Sequence, residues 1–329
     1  GTSASVITRI DAGEDASTST FTGNIYATTL NVGGSGTVSI TGDATATIDF
    51  DADGNLILAD NADVTGTITA QTADNGIVTF EGSSDVSSDV GETGNNELKQ
   101  ININGANETV AFSGHVNADV LNFGADGVIT IADTKNLLDD AAATNADITV
   151  STGNTGTIVL SGTHAVGQTG NGTSSIGVSG TALKRLEIAG DNGDTATVNA
   201  DIFATTIAFT DDADLTIDDG HNITGAITTA TTNMGELSFA DDATDSAYTV
   251  TGQIGVSGAL LRQLSIQGRS VLTTTEDIYA TIVNFDATPT TAATLIVADG
   301  KNINGAVTTD TDERGIVTFS GSTTTGGDL

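Results

Sequence analysis

Four short sequence blocks recur in fixed order along this chain, and that recurrence constrains its fold more than any other feature. The first reads FTGNIYATTLNV at Phe21–Val32, FSGHVNADVLNF at Phe112–Phe123, VNADIFATTIAF at Val198–Phe209 and TEDIYATIVNF at Thr275–Phe285. The second reads LTIDDGHNITGAITT at Leu215–Thr229 and LIVADGKNINGAVTT at Leu295–Thr309, with weaker forms at Leu56–Thr69 and Ile129–Asn136. The third is GIVTF at Gly76–Phe80, GTIVL at Gly156–Leu160, GELSF at Gly235–Phe239 and GIVTF again at Gly315–Phe319. The fourth is LKQINI at Leu98–Ile103, LKRLEI at Leu183–Ile188 and LRQLSI at Leu261–Ile266, with ITRIDA at Ile7–Ala12 as a truncated first copy. This order describes one continuous repeat body over 1–329, of about three and a half repeats of roughly 75–90 residues. Its approximate units are 1–97, 98–182, 183–260 and 261–329. Length differences fall in connecting stretches, such as the extra strand-like piece in Asn31–Phe50 and the segment around the single proline, Pro289.

Within the blocks the apolar period is two. In Gly315–Ser320, Ile316 and Thr318 point one way while Val317 and Phe319 point the other. In Leu295–Val307 the residues Leu295, Val297, Ile303 and Val307 flank an Asp299–Asn302 turn, which reads as strand, tight turn, strand. Thr, Val and Ile are stiff at χ1 and suit a pleated surface, while Gly, Asn and Asp supply turns. The chain is therefore expected to be all-β. Two architectures compete: a parallel β-solenoid with several coils per repeat, and tandem β-sandwich domains, one per repeat. The solenoid is preferred, because hairpin signals at regular spacing are missing and the second block reads like a coil turning a corner. Most of the Phe residues fall in the first and third blocks, as stacked core positions would. The LKRL and LLRQL pieces, and Lys135–Ala143, are read as candidate single helical turns.

The blocks VTGQIGVSGALLRQLSI (Val250–Ile266), DIYATIVNF (Asp277–Phe285) and VADGKNINGAVTT (Val297–Thr309) resemble repeats of bacterial extracellular β-solenoid surface proteins. The resemblance is to autotransporter passenger regions of the rickettsial outer-membrane protein B kind, and to surface-layer-like proteins. It implies a secreted, surface-exposed, assembling protein of a bacterium or archaeon, and it brings no catalytic residues. No translocating outer-membrane barrel and no signal peptide are visible, so the expected extracellular location rests on composition and resemblance.

Forty-three Asp and Glu stand against nine Lys and Arg, for a formal charge of −34. That balance argues against a nucleic-acid surface and against anionic membranes. With no Cys there are no disulfides, thiolate metal sites or thiol catalysis, and no apolar run is long enough to span a bilayer. His221 aligns with Lys301 and approximately with Lys135 at the same Asp-x-(His/Lys)-Asn turn, so it reads as a solvated turn residue. His115 stands where other repeats have Asn24, Asp201 and Asp277. No nucleophile elbow or zinc spacing occurs, and Gly33–Thr37 reads as a turn because no helix and no Lys follow it.

What remains is carboxylates at turns: Asp51 with Asp53, Asp211 and Asp212 with Asp214, Asp218–Asp219, Asp241–Asp242 and Asp310–Glu313. Ca²⁺ takes six to eight oxygens, which such turns can offer, so Asp51, Asp53, Asp211, Asp212 and Asp214 are the candidate Ca²⁺ ligands. Divalent ions would also relieve repulsion between copies. Lys99, Lys184 and Arg262 share one repeat position, which suggests a structural ladder and not the focused basic cleft of a polysaccharide-degrading β-helix enzyme. The expectation is a non-enzymatic structural protein that assembles with copies of itself into a surface layer, sheath or filament, in contact with cell-envelope components. The alternatives are the stalk of an adhesin and, less favoured, a glycan-degrading enzyme.

Overall fold

Alternation of Thr and Ser with Ile, Val and Leu makes short strands, and each lies in parallel on strands from neighbouring coils. The computed structural model describes residues 1–92, 96–138, 146–167, 174–218, 220–240, 246–286, 292–310 and 314–321. Pro289, Asp219, Asp241, Asp242, Asp312, Glu313 and residues 139–143 lie outside them. The strand registers among the described residues are parallel, and antiparallel bridges such as Thr2–Ser5 are local turns. Sandwich strands are antiparallel. The chain is a parallel β-solenoid, and the sandwich alternative is excluded.

The chain divides into two compact units, Gly1–Val159 with Val166–Leu183, and Leu160–Ala165 with Lys184–Leu329. In the first unit, columns of apolar side chains fill the interior, and three of them illustrate the packing. One runs Phe21, Ile40, Leu58, Phe80, Ile103, Phe123, Val150. A second runs Ala44, Val64, Val86, Phe112, Ile131, and a third Ile68, Val90, Val116, Leu137. Nearly all of these side chains are fully buried, and Phe80 meets Phe112 edge-on with ring centroids 5.7 Å apart. Burying one Phe or Leu contributes about 1.5–3 kcal/mol, so the columns are the main stabilising feature of the unit.

The second unit is built the same way. Its columns include Val198, Ile217, Phe239, Ile266, Phe285; Ile202, Ile223, Val250, Thr274, Val297; and Ile207, Ile227, Ile254, Ile278, Ile303. Thr274 is the polar intruder, and its hydroxyl donates to the Ile296 carbonyl at 3.5 Å. Strands of the first block turn a corner without stopping. Their registers shift between Tyr26 and Thr29, Phe203 and Thr206, and Tyr279 and Ile282, which is a bulge at the same place in three copies.

The fourth-block pieces read as helical turns are strands instead, Leu183–Ile188 and Leu261–Gln267. Leu183, Leu186 and Ile188 face inward while Lys184 stays outside. A single helical turn would leave its backbone groups unpaired, whereas Leu261–Gln267 is bonded on both sides, to Met234–Phe239 and Ile278–Asp286. Within Lys135–Leu138 the chain makes a turn, with the Lys135 N–H donating to the Ala132 carbonyl, and Leu137 enters a column.

The repeat has a packing cause. A Cβ on Gly76 would lie 2.5 Å from the Phe50 ring, one on Gly156 2.5 Å from Phe123, and one on Gly315 2.7 Å from Phe285. Gly235 stands in the same way against Phe209. The Gly that opens each third block is thus the seat of a Phe from the coil beneath. In the first repeat the Phe is displaced from position 32 to 50, because the extra piece after Asn31 forms one whole coil, with Val32 in register with Phe50. Successive copies do not share a side of the coil. Phe50 follows Val32 in one stack and Phe123 follows Ile103 in another, so the repeat is not a whole number of coils.

Gly235→Ala and Gly258→Ala separate packing from backbone strain. Both glycines are left-handed, at φ +74° and +92°, but the space around Gly258 is open. Gly258→Ala should cost about 1–2 kcal/mol from conformation alone. Gly235→Ala should cost about 1–3 kcal/mol more by overpacking against Phe209. Equal urea midpoints for the two variants would show that the Phe does not need its glycine.

Candidate functional site

A coil that turns corners leaves backbone N–H groups outside the strand ladders, and they need acceptors. Acidic and amide side chains supply them. In the first unit Asp63 Oδ1 accepts from the Asp85 N–H at 2.8 Å, Asp89 Oδ1 from His115 at 2.8 Å, and Asp147 Oδ1 from Ser175 at 2.9 Å. In the second, Asp201 Oδ1 accepts from Asn222 at 2.7 Å, Asp212 Oδ1 from Gly235 at 2.8 Å and Asp277 Oδ1 from Asn302 at 2.8 Å. Each of these bonds ties one coil to the next.

The position shared by Asn24, His115, Asp201 and Asp277 is one such corner. Asn24 Oδ1 accepts from Asp43 at 3.1 Å and His115 Nδ1 from Asn136 at 3.1 Å. His115 therefore does the work of its aspartate counterparts. His221 and Lys301 are turn residues: their N–H groups donate to the Asp218 and Ala298 carbonyls, each at 3.2 Å. The His221 ring lies 3.4 Å from Asp201, whose carboxyl it helps hold below the usual range.

The five candidate calcium ligands fall in two places, and most have other partners. In the first unit Asp51 Oδ2 accepts from Asn31 Nδ2 at 2.9 Å, and Asp53 pairs with Lys99 at 2.5 Å. In the second, Asp211 Oδ1 accepts from the Asp212 N–H at 2.9 Å. Asp212 accepts from Asn192 at 3.2 Å and lies 3.4 Å from Arg262, which also pairs with Asp214 and stands 3.5 Å from Glu236. Burial pushes the Asp214 and Glu236 carboxyls up, against the pull of that guanidinium. Arg262 already neutralises this group in part, which is a poor starting point for a dication. At the shared repeat position, Lys99 and Arg262 each reach back to carboxylates from earlier coils.

A further carboxylate group was not visible in the sequence. Asp74, Glu97 and Asp119, from three successive coils of the first unit, bring one oxygen each within 4.8 Å of the others. Among the described residues it is the one cluster of three possible metal-ligating side chains at that spacing. Asp74 is exposed, Asp119 is half-buried and Glu97 is 4% exposed. The Asp119 carboxyl is pushed up to about 7, first by burial, then by its hydrogen bond with Asp74 and by the charges of Asp74 and Glu97. The group can hold a proton near neutral pH, and a cation could take that proton's place. Its register signal was coil-length spacing: Leu98 pairs with Asn75 and with Ala118, which sets the three acids side by side.

Compared with known proteins, the chain matches no family model, no curated protein and no solved structure.

An acid whose carboxyl lies above its unfolded value, near 4, binds its proton more tightly when folded. The contribution of Asp119 to stability is therefore fully present below about 4 and lost as pH rises through about 7. Asp119→Asn should remove that component, flattening the denaturation midpoint between pH 4 and 7 relative to the unmodified chain and raising it at pH 8. Identical pH profiles for the two chains would contradict the assignment.

Proposed function

We propose that this chain is a structural extracellular protein that assembles with copies of itself into a surface layer, sheath or filament. The observation that carries the reading is the set of corner bonds that fasten coil to coil, such as the Asp85 N–H to Asp63 Oδ1 and the Asn302 N–H to Asp277 Oδ1, which leave a polar, acidic outer face suited to a durable wall. The Lys99 and Arg262 pairs fit a structural ladder.

Calcium belongs to this proposal as the ion that lowers repulsion between copies of charge −34. Negative-stain electron microscopy of the purified chain tests both parts. Ordered sheets or filaments in millimolar Ca²⁺ that dissolve on chelation are expected. Assembly that ignores the chelator would remove calcium from the proposal, and single particles in both conditions would favour the adhesin stalk.

A further inference from the structure

We infer that Asp74, Glu97 and Asp119, with the side-chain oxygen of Asn117, form a calcium site that staples three successive coils of the first unit. The ion is held within one chain, so the inference stands apart from self-assembly and from any calcium between copies.

The register builds the site. Leu98 pairs with Asn75 on one side and with Ala118 on the other. The residues just before these three are Asp74, Glu97 and Asn117, which therefore follow one another from coil to coil. Asp119 comes two residues after Asn117 and shares its face. Asn117 supplies an observation independent of the acids. It is 2% exposed, and its Oδ1 is buried with no donor bonded to it among the described residues. A buried oxygen without a partner costs stability. In this column its neighbours are carboxylates, which are acceptors too when ionised, so a cation is the partner that suits all four.

The second unit shows that the fold does not require acids here. Its equivalent register trio is Met234, Leu261 and Ala280. Asn233, Leu260 and Tyr279 precede these residues, and Thr281 stands where Asp119 does. The backbones correspond closely: Asp74 and Asn233 are both left-handed, at φ +61° and +67°. A Cβ on Gly91 would lie 3.3 Å from the Asn117 Cβ, and one on Gly255 would lie 3.2 Å from that of Tyr279. In the intervening repeat the sequence places Asn154, Ala182 and Thr205 where the three acids stand. One repeat alone thus gathers three carboxylates at a corner that is otherwise neutral.

The donors are all oxygens, with no His or Cys, which suits a hard cation. Two oxygens bound to one Ca²⁺ lie at most about 5 Å apart. The three carboxylates bring oxygens within 4.8 Å of one another. The charges of Asp74 and Glu97 oppose ionisation of Asp119, and a dication reverses that opposition. Lys99, on the adjoining strand, sends its ammonium to Asp53 instead.

Thermal melting of the full chain tests the site, after removal of bound metal with a chelator. About 0.15 M KCl screens diffuse attraction to the acidic surface. About 10 mM CaCl2 should raise the midpoint by about 5 °C. The shift should survive dilution of the protein, because the ion lies within one chain. Asp119→Asn and Glu97→Gln should each lose the shift, whereas Asp85→Asn, which removes an exposed charge from the same unit, should keep it. Asn117→Leu leaves the charge unchanged and should raise the calcium needed for half the shift about tenfold. Asp119→Asn relieves repulsion and should fold, which far-UV circular dichroism verifies. No shift in the unmodified chain, or an equal shift in Asp119→Asn and Glu97→Gln, would overturn the site. An unchanged response in Asn117→Leu would remove that oxygen from the ligands. A shift lost on dilution would place the ion between copies, and an equal shift with MgCl2 would overturn the choice of calcium.

Discussion

No single coil of this protein can bury its own apolar side chains. A coil is one strand thick, and its inward Ile, Leu, Val and Phe are covered only when coils lie directly above and below. The stacking of like on like follows: Ile207, Ile227, Ile254, Ile278 and Ile303 form one unbroken column in the second unit. The same requirement sets the glycines. A Phe that fills the centre of one coil presses on the backbone of the next, and Gly76 and Gly156 yield the space. It also explains how the first repeat absorbs an additional piece. An insertion that forms one complete coil, bringing Phe50 into register with Val32, leaves every column intact.

Stacking coils creates a second demand at their corners, where backbone donors have left the ladder. Aspartate meets it well, being short and acceptor-only when ionised. The same residues that make the chain acidic are therefore part of what fastens it. Where corners would accumulate too much charge, the few cations are spent on them: Lys99 on Asp53, Lys301 on Glu276, Arg262 on the group around Asp214. At Asp74, Glu97 and Asp119 three carboxyls meet, and burial, the hydrogen bond with Asp74 and the neighbouring charges push Asp119 up to about 7. Part of the acidity thus has an internal structural origin in the bonds that fasten the corners.

Much of this was legible in the sequence because the blocks repeat with the chemistry of their surroundings. The period of two in GIVTF, the Phe positions of the first and third blocks and the alignment of His115 with Asp201 and Asp277 each reported a real structural position. The fourth block misled locally. Its Leu183–Leu186 spacing imitates a helical turn, and only pairing with strands on both sides makes it extended. The Asp74, Glu97 and Asp119 group was hidden for a different reason. Its members sit on neighbouring coils, and the visible repeat is several coils long, so sequence spacing did not reveal which residues lie above one another.

By itself the sequence determined that this chain is all-β, repetitive and built of short strands closed by Asp, Asn and Gly turns. Those properties are local, being set by χ1 stiffness, permitted φ and the alternation of apolar residues. Only the tertiary structure decided the coil length, the parallel register and hence which side chains meet across coils. Register belongs to pairs of strands and not to either strand alone, and a shift of one residue would turn every column inside out. For the same reason two identical GIVTF segments differ among the described residues: Val78 and Phe80 are sealed in the core, while Val317 and Phe319 are partly covered, because what covers a strand is its neighbour.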